Sequence, residues 1–203
     1  MAKKELYKSI VLAAIVASII ASGMTYFFLT NKKPTKEELI KDFYLTENAV
    51  YVSPHSLRRR MDKGEKNYVL VDLRSPQEYV KEHIVGAINI PAYKDPNTPA
   101  YTDTARILQS FRKLPKGKEI IVYCYSMPCM TGRKIGELLA QNGIFVKHLG
   151  IGWNEWRHFW TLWNHEHEWA VTNPEMYIIK GKDPGKTKLR DLPSSCGEDT
   201  YGC

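Results

Sequence analysis

Cysteine is scarce. Four cysteines in 203 residues are too few and too unevenly spaced for a fold stapled by disulfides. No internal repeat or collagen-like period is present, and 43% hydrophobic against 25% charged residues excludes intrinsic disorder as a description of the whole. Basic residues outnumber acidic ones, 29 to 22, for a formal charge of +7. Yet no Lys/Arg stripe interleaved with aromatics follows one element, so the charge is not a nucleic-acid footprint. The triplet Arg58-Arg59-Arg60 is expected to be the solvated face of a short helix. Only one long apolar run occurs, which excludes a multi-span transporter. What is left is one domain of about 100–150 residues with appendages.

The run extends from Ser9 to Leu29 without a charge. About 20 apolar residues cross the roughly 30 Å hydrocarbon layer as a helix. A cleaved signal peptide is the competing reading, since Lys3, Lys4 and Lys8 form a positive leader and Ala21-Ser22-Gly23 is a small-residue stretch. The apolar character continues through Met24, Tyr26, Phe27, Phe28 and Leu29, which suits the interfacial end of a retained anchor. Lys32, Lys33 and Lys36 on the far side nearly balance the leader. Because a short N-terminal tail commonly stays inside, the expectation is a single-pass protein of the cell membrane with its globular part outside the cytoplasm.

Four regions are expected: an anchor over 1–30, a linker and short helix over 31–47, a domain over 48–170, and a C-terminal extension over 171–203. Leu39, Ile40, Phe43 and Tyr44 give Glu37–Leu45 helical spacing. After a short extended piece at Val50–Val52, Pro54 opens a helix to about Asp62. Tyr68–Leu73 is an apolar run of strand length, as expected for a strand buried on both faces. Ser75-Pro76-Gln77-Glu78 reads as a capping box. Ile84–Ile90 reads as a strand, Thr102–Leu114 as a helix and Glu119–Tyr123 as another buried strand. A helix over about Thr131–Asn142 stops at Gly143. Ile144–Leu149 is the last predicted strand, and Trp153–Trp163 a closing helix. This alternation predicts an α/β fold, an open and mostly parallel sheet with helices on both faces, whose ligands bind beyond the carboxyl ends of the strands.

Cys124 stands at such an end. It follows IIVY directly and is followed by Tyr125, Ser126, Met127, Pro128, Cys129, Met130, Thr131, Gly132 and Arg133. Backbone N–H groups of the loop and the positive end of the next helix favour a thiolate there. From position alone, a reactive cysteine and a small buried apolar residue at a strand end both remain open.

The wider pattern resembles the rhodanese family. VLVDLRSPQEYVKEHIVGAINIP over Val69–Pro91 supplies Asp72 and Arg74, Glu78 and Tyr79, His83, Gly86, Ala87, Asn89 and Pro91; then come IIVYC with Cys124, and Gly150, Gly152 and Trp156. The resemblance covers roughly 50–160. It implies a central parallel sheet and a Cys124 that accepts sulfane sulfur as a persulfide and passes it to a thiol or other nucleophile. It implies no cofactor. Arg74 is expected to pair with nearby carboxylates.

The active loop departs from the family pattern. Met127 and Cys129 stand where the family has glycine and arginine, and the loop is about two residues longer. A phosphatase version would need arginine six residues after the cysteine, where Met130 stands. No cation lies within Cys124–Gly132 to hold the thiosulfate dianion, with Arg133 the nearest; a persulfide or thiol donor is easier to accommodate. Cys129 either resolves a Cys124 persulfide or sulfenic acid as a disulfide, or is a second loop thiol or structural disulfide partner. Three functions follow: a sulfurtransferase, a thiol–disulfide redox protein using Cys124 and Cys129, and a non-catalytic binding module. The expected partners are a sulfur donor, a thiol acceptor and the membrane, with no nucleic acid.

Other features have plainer readings. Alternate histidines at His165 and His167 do not share a helix face, so His165-Glu166-His167-Glu168 is expected to be a solvated helix end with no metal. Trp153, Trp156, Phe159, Trp160 and Trp163 have core spacing. Cys196 and Cys203 in the Gly/Pro/Lys-rich tail are close enough for a small disulfide loop, or alternatively form a tethered sulfur acceptor.

Overall fold

The computed structural model describes residues 2–31 and 33–189. Cys196 and Cys203 lie outside the described residues. The chain divides into two units between Leu45 and Thr46. In the first, α1 (Ala2–Asn31) is one helix of 30 residues, about 45 Å long at 1.5 Å per residue. Within it Lys3–Thr30 is long and apolar enough to cross a membrane. Its large apolar side chains, Ile10 through Leu29, are exposed rather than packed into a core. The hydroxyls of Ser18, Thr25 and Thr30 donate to the carbonyls of Ala14, Ala21 and Tyr26, so they need no partner from the surroundings. A signal sequence shares all these properties.

α2 (Lys36–Val50) crosses the division and is longer than the Glu37–Leu45 that hydrophobic spacing suggests. Thr35 and Glu38 exchange backbone-to-side-chain hydrogen bonds at its start, and no glycine or proline interrupts Thr46–Val50.

In the second unit β1 (Tyr51–Val52) and α3 (Pro54–Asp62) lead to β2 (Tyr68–Asp72). α4 (Pro76–Lys81), β3 (His83–Ile84), β4 (Ala87–Asn89), α5 (Thr104–Arg112) and β5 (Glu119–Tyr123) follow. α6 (Met130–Gln141), β6 (Lys147–Leu149), α7 (Trp153–His158) and β7 (Ile178–Ile179) complete the order. Five strands form one parallel sheet in the order β1-β6-β5-β2-β4. Its centre is the pair β2 and β5, in register from Tyr68 opposite Glu119 to Asp72 opposite Tyr123.

Strand period two divides the core. Leu70, Ile121 and Tyr123 pack with Leu57 and Met61 of α3, Tyr79 of α4 and Trp153 and Trp156 of α7. Val71, Val122 and Cys124 pack with Ile107 and Phe111 of α5 and Ile135 and Leu139 of α6. The α/β class, the parallel sheet and the helices on both faces agree with the sequence expectation.

Several boundaries differ. The strand expected over Ile84–Ile90 is broken at Gly86, whose φ of 82° suits glycine. β3 leaves the main sheet to pair antiparallel with β7, and only β4 joins β2. α5 begins after Asp103, whose carboxylate accepts from the Arg106 N–H. α6 ends, as expected, before Gly143 at φ 73°, but β6 is confined to Lys147–Leu149. The closing helix ends at His158 and resumes as a 3-10 turn at Trp160–Leu162. This break puts Trp160 in the core beside Trp156 while Phe159 is exposed.

Three plainer expectations are corrected. The arginine triplet is not a solvated face. Arg58 is buried and forms two bonds to the Glu168 carboxylate at 3.0 and 2.6 Å and one to Asn164 Oδ1. Arg60 pairs with Glu119 at 2.6 Å and lies over the Tyr68 ring. The end of His165–Glu168 is likewise not solvated, because Glu168 is the buried partner of Arg58. Lastly, the described part of the extension is no loose appendage. Tyr177 is buried, its hydroxyl donates to Asp62 Oδ1 at 2.7 Å, its carbonyl accepts from the Val85 N–H, and β7 follows it onto β3.

Candidate active site

Parallel strands all end on one side, and the connections after β2, β5 and β6 meet there. After β2, Asp72 accepts from the Arg74 backbone N–H at 2.8 Å and pairs with its guanidinium at 2.6 Å. The Tyr123 hydroxyl donates to the same carboxylate at 2.7 Å, and the Arg74 guanidinium carbon stacks 4.2 Å from the Trp153 ring. Arg74 is therefore the carboxylate partner expected from its position. The capping box at Ser75 and Glu78 is formed, and Glu78 Oε2 also accepts from the Tyr125 hydroxyl at 2.5 Å. The capping carboxylate of α4 thereby fixes the first side chain of the cysteine loop.

The loop backbone is held against the turn after β6. Trp153 N–H donates to the Cys124 carbonyl and Asn154 N–H to that of Tyr125, both at 2.8 Å. Glu155 accepts from the N–H groups of Met127 at 3.1 Å and Gly152 at 3.0 Å. A Cβ on Gly152 would overlap the backbone of Tyr125 and Ser126, so glycine is the residue that lets the two segments meet. Within the loop, Cys129 N–H closes a turn onto the Ser126 carbonyl at 3.0 Å. Met127, Pro128 and Met130 are exposed. Thr131 and Gly132 are buried at the start of α6, where Gly132 leaves no room for a Cβ against the His148 ring.

The two loop cysteines come together, Sγ to Sγ 3.5 Å, both as free thiols. Cys124 is 0% exposed, packed among Val122, Ile135 and Leu139, whereas Cys129 is half-buried and occupies the N-cap of α6. Their acidities diverge. Contact with ionised Cys129, together with burial, drives the Cys124 thiol far above the usual thiol range. Cys129 is held down to about 5 by the facing Cys124 thiol, the Thr131 hydroxyl and the N–H groups of Thr131 and Tyr125. The reason is proximity: two touching thiols share one negative charge, which settles on the sulfur nearer the helix N-terminus and water. A lowered pKa for Cys124, expected from its place after the strand, is thus found on its neighbour.

Tyr93, Tyr101 and Tyr125 close the surroundings. The Tyr93 hydroxyl and Thr131 Oγ1 are 2.6 Å apart, and the Tyr93 and Tyr125 rings meet edge to face at 5.5 Å. Burial raises the pKa of all three tyrosines, with hydrogen bonding to Glu78 adding to it at Tyr125. Sequence reasoning missed Tyr93 and Tyr101. Both lie in the irregular connection from β4 to α5, where Tyr101 takes a backbone φ of 70°. Arg133 is engaged away from the sulfurs, donating to the Met127 carbonyl and the Tyr51 hydroxyl at 3.0 Å each. His148 Nδ1 donates to the Leu149 carbonyl at 2.7 Å, and its buried Nε2 has no hydrogen-bond partner among the described residues.

Comparison with known proteins agrees with this geometry. The sequence profile of the rhodanese-like domain matches residues 53–159, more than half of the chain. The chain belongs to the rhodanese-like family. A thiosulfate:glutathione sulfurtransferase of Saccharomyces cerevisiae is 35% identical over 82 residues, covering 40% of this chain and 55% of that protein. An HTH-type transcriptional regulator of Mycobacterium tuberculosis is 33% identical over 101 residues, covering 50% of this chain and 38% of that protein. The chain thus spans only about half, or less, of these curated relatives. Among solved structures, a Bacillus halodurans protein is 27% identical with a TM-score of 0.48, covering 60% of this chain and 81% of that one.

Proposed function

We propose that this protein is a membrane-anchored sulfurtransferase that carries sulfane sulfur as a persulfide on Cys124, its rhodanese-like domain lying outside the cytoplasm. The observation that carries the reading is Cys124 at the carboxyl end of the central strand, in contact with the second cysteine, Cys129, seated at the start of α6. In the reaction a persulfide donor gives its outer sulfur to the enzyme thiol. The donor's S–S bond breaks, a new S–S bond forms on the enzyme, and the donor leaves as a thiol carrying the displaced proton. An acceptor thiol then takes the same sulfur and restores the enzyme thiol.

The nature of the donor follows from charge. Arg74 is tied to Asp72 and Arg133 to the loop carbonyl and Tyr51, leaving tyrosines and Thr131 around the sulfurs. Such a lining favours an organic persulfide or polysulfide over thiosulfate. Anchoring rests on the length and apolar character of α1.

Intact-mass measurement after incubation with a sulfane donor tests the proposal. A gain of about 32 Da, one sulfur atom, located at Cys124 after transfer is complete supports it; a protein that never takes up sulfur refutes it. A second reading, a thiol–disulfide redox couple, is favoured by the 3.5 Å separation of the two sulfurs, since closing to about 2.05 Å makes a disulfide. Exchange with an external disulfide, which leaves as two thiols, would supply the oxidation. A reversible loss of about 2 Da without sulfur uptake, the two hydrogens of the pair, identifies that case.

A further inference from the structure

We propose that Cys129, not Cys124, is the sulfur-entry residue: it takes the sulfane sulfur from the donor and hands it inward to Cys124. This rests on the sulfurtransferase reading and assigns a second catalytic residue to it. Three observations carry it. The first is access. Cys124 is 0% exposed beneath the loop, while Cys129 is open to solvent in part. A donor approaching from outside meets Cys129 first.

The second observation is the environment of the sulfur. Cys129 caps α6, a helix of 12 residues, and Tyr93, Thr131 and Cys129 form a line of groups in which the Thr131 hydroxyl faces the sulfur and has the Tyr93 hydroxyl 2.6 Å behind it. Together with the Tyr125 and Thr131 N–H groups these are donors to an anion, whereas Cys124 shares the Tyr125 N–H and otherwise lies among Val122, Ile135 and Leu139. The acidity of Cys129, near 5, agrees with that setting. The third observation is the 3.5 Å contact between the two sulfurs, short enough for transfer without rearranging the strand.

The relay balances without an added oxidant. The Cys129 thiolate attacks the outer sulfur of the donor; the donor's S–S bond breaks and its thiolate leaves, taking up a proton. Cys124 then attacks that same sulfur. Its S–S bond forms as the Cys129 S–S bond breaks, and the proton from Cys124 ends on Cys129.

The test uses the full-length protein with inorganic polysulfide as the probe, following the gain of about 32 Da with time in wild type, Cys129→Ser and Cys124→Ser. Cys129→Ser is expected to charge about tenfold or more slowly, while Cys124→Ser still takes up sulfur and keeps its adduct on Cys129 instead of passing it inward. Wild-type charging of Cys124 in Cys129→Ser overturns the relay and leaves the sulfurtransferase reading standing. No uptake by wild type overturns both. A second measurement needs no sulfur donor: brief alkylation of the wild type at about pH 6, where an ordinary thiol is protonated, is expected to label Cys129 first. Labelling that begins at Cys124 counts against the relay.

Discussion

The two faces of the sheet are built for different ends. The face covered by α3, α4 and α7 buries charge and pairs it: Arg58 with Glu168, and Arg74 with Asp72. The face covered by α5 and α6 places hydroxyls and two facing cysteine sulfurs at its upper edge. A guanidinium and a carboxylate bonded twice have one good arrangement, which locks helices to strands. Two thiols have two protonation states and can pass a proton or a sulfur between them. Rigidity on one side supports chemistry on the other, and the two meet at Tyr123, the last residue of β5, and Cys124 directly after it, which pack on opposite faces.

Breaking the charged face has the largest expected effect. Arg58→Ala leaves Glu168 buried without its guanidinium and is expected to cost about 3–5 kcal/mol in equilibrium denaturation. Replacing both partners with apolar residues, Arg58→Met with Glu168→Leu, is expected to recover most of that loss. If the double variant is as unstable as the single one, the pair is not what holds the 160s segment to α3.

The seam between the faces is the next target. Gly152→Ala forces a methyl group into the Tyr125–Ser126 backbone, with an expected cost of about 1–3 kcal/mol and slower labelling of the loop cysteines. Unchanged stability and labelling would mean that the loop moves freely relative to α7.

Acid sharpens the comparison further. Burial, with Arg58 adding to it, lowers the His55 pKa from 6.5 to about 4. The unfolded chain therefore takes up a proton that the folded chain refuses. The stability so gained is complete above about pH 6.5 and is lost as pH falls from there towards 4, at about 1.4 kcal/mol per pH unit per proton. His55→Gln is expected to flatten that part of the profile. A profile identical to wild type would place the acid sensitivity elsewhere.

The smallest expected change is Tyr125→Phe. It removes one donor from Glu78 and is expected to cost about 1 kcal/mol by denaturation, with the capping box intact. A loss several times larger would mean that this tyrosine, rather than Ser75, sets the start of α4.

Much of the fold was legible because its signals are local. VLVD and IIVY are apolar runs of the length and β-branched content of a strand buried on both faces, and Ser75 with Glu78 states where α4 begins. The places of Cys124, Asp72 and Arg74 just at the ends of β5 and β2 were legible from the order of the family's motifs. What was not legible depends on distant contacts. Arg58 and Glu168 are 110 positions apart, and each alone looks like a solvated charge. β3 turned from the main sheet because β7 was available nearly a hundred residues later, which no period within Ile84–Ile90 announces. Tyr93 and Tyr101 lie in an irregular loop, where no periodicity marks a side chain as facing the sulfurs. The division of acidity between Cys124 and Cys129 depends on a contact of 3.5 Å, and spacing alone gives no such distance.

The strap formed by Tyr177 and β7 has a consequence for biosynthesis. The family profile stops at residue 159, but Trp156 and Trp160 are covered by the Tyr177 ring, and Thr187 still bonds to the Met61 carbonyl. A chain growing from its N-terminus therefore reaches the end of the recognisable domain with its tryptophan cluster open on one side. Covering it waits for about twenty more residues, up to Tyr177 and β7, to emerge. During that interval the nascent protein would present an aromatic surface to chaperones, one that vanishes when the last strand closes.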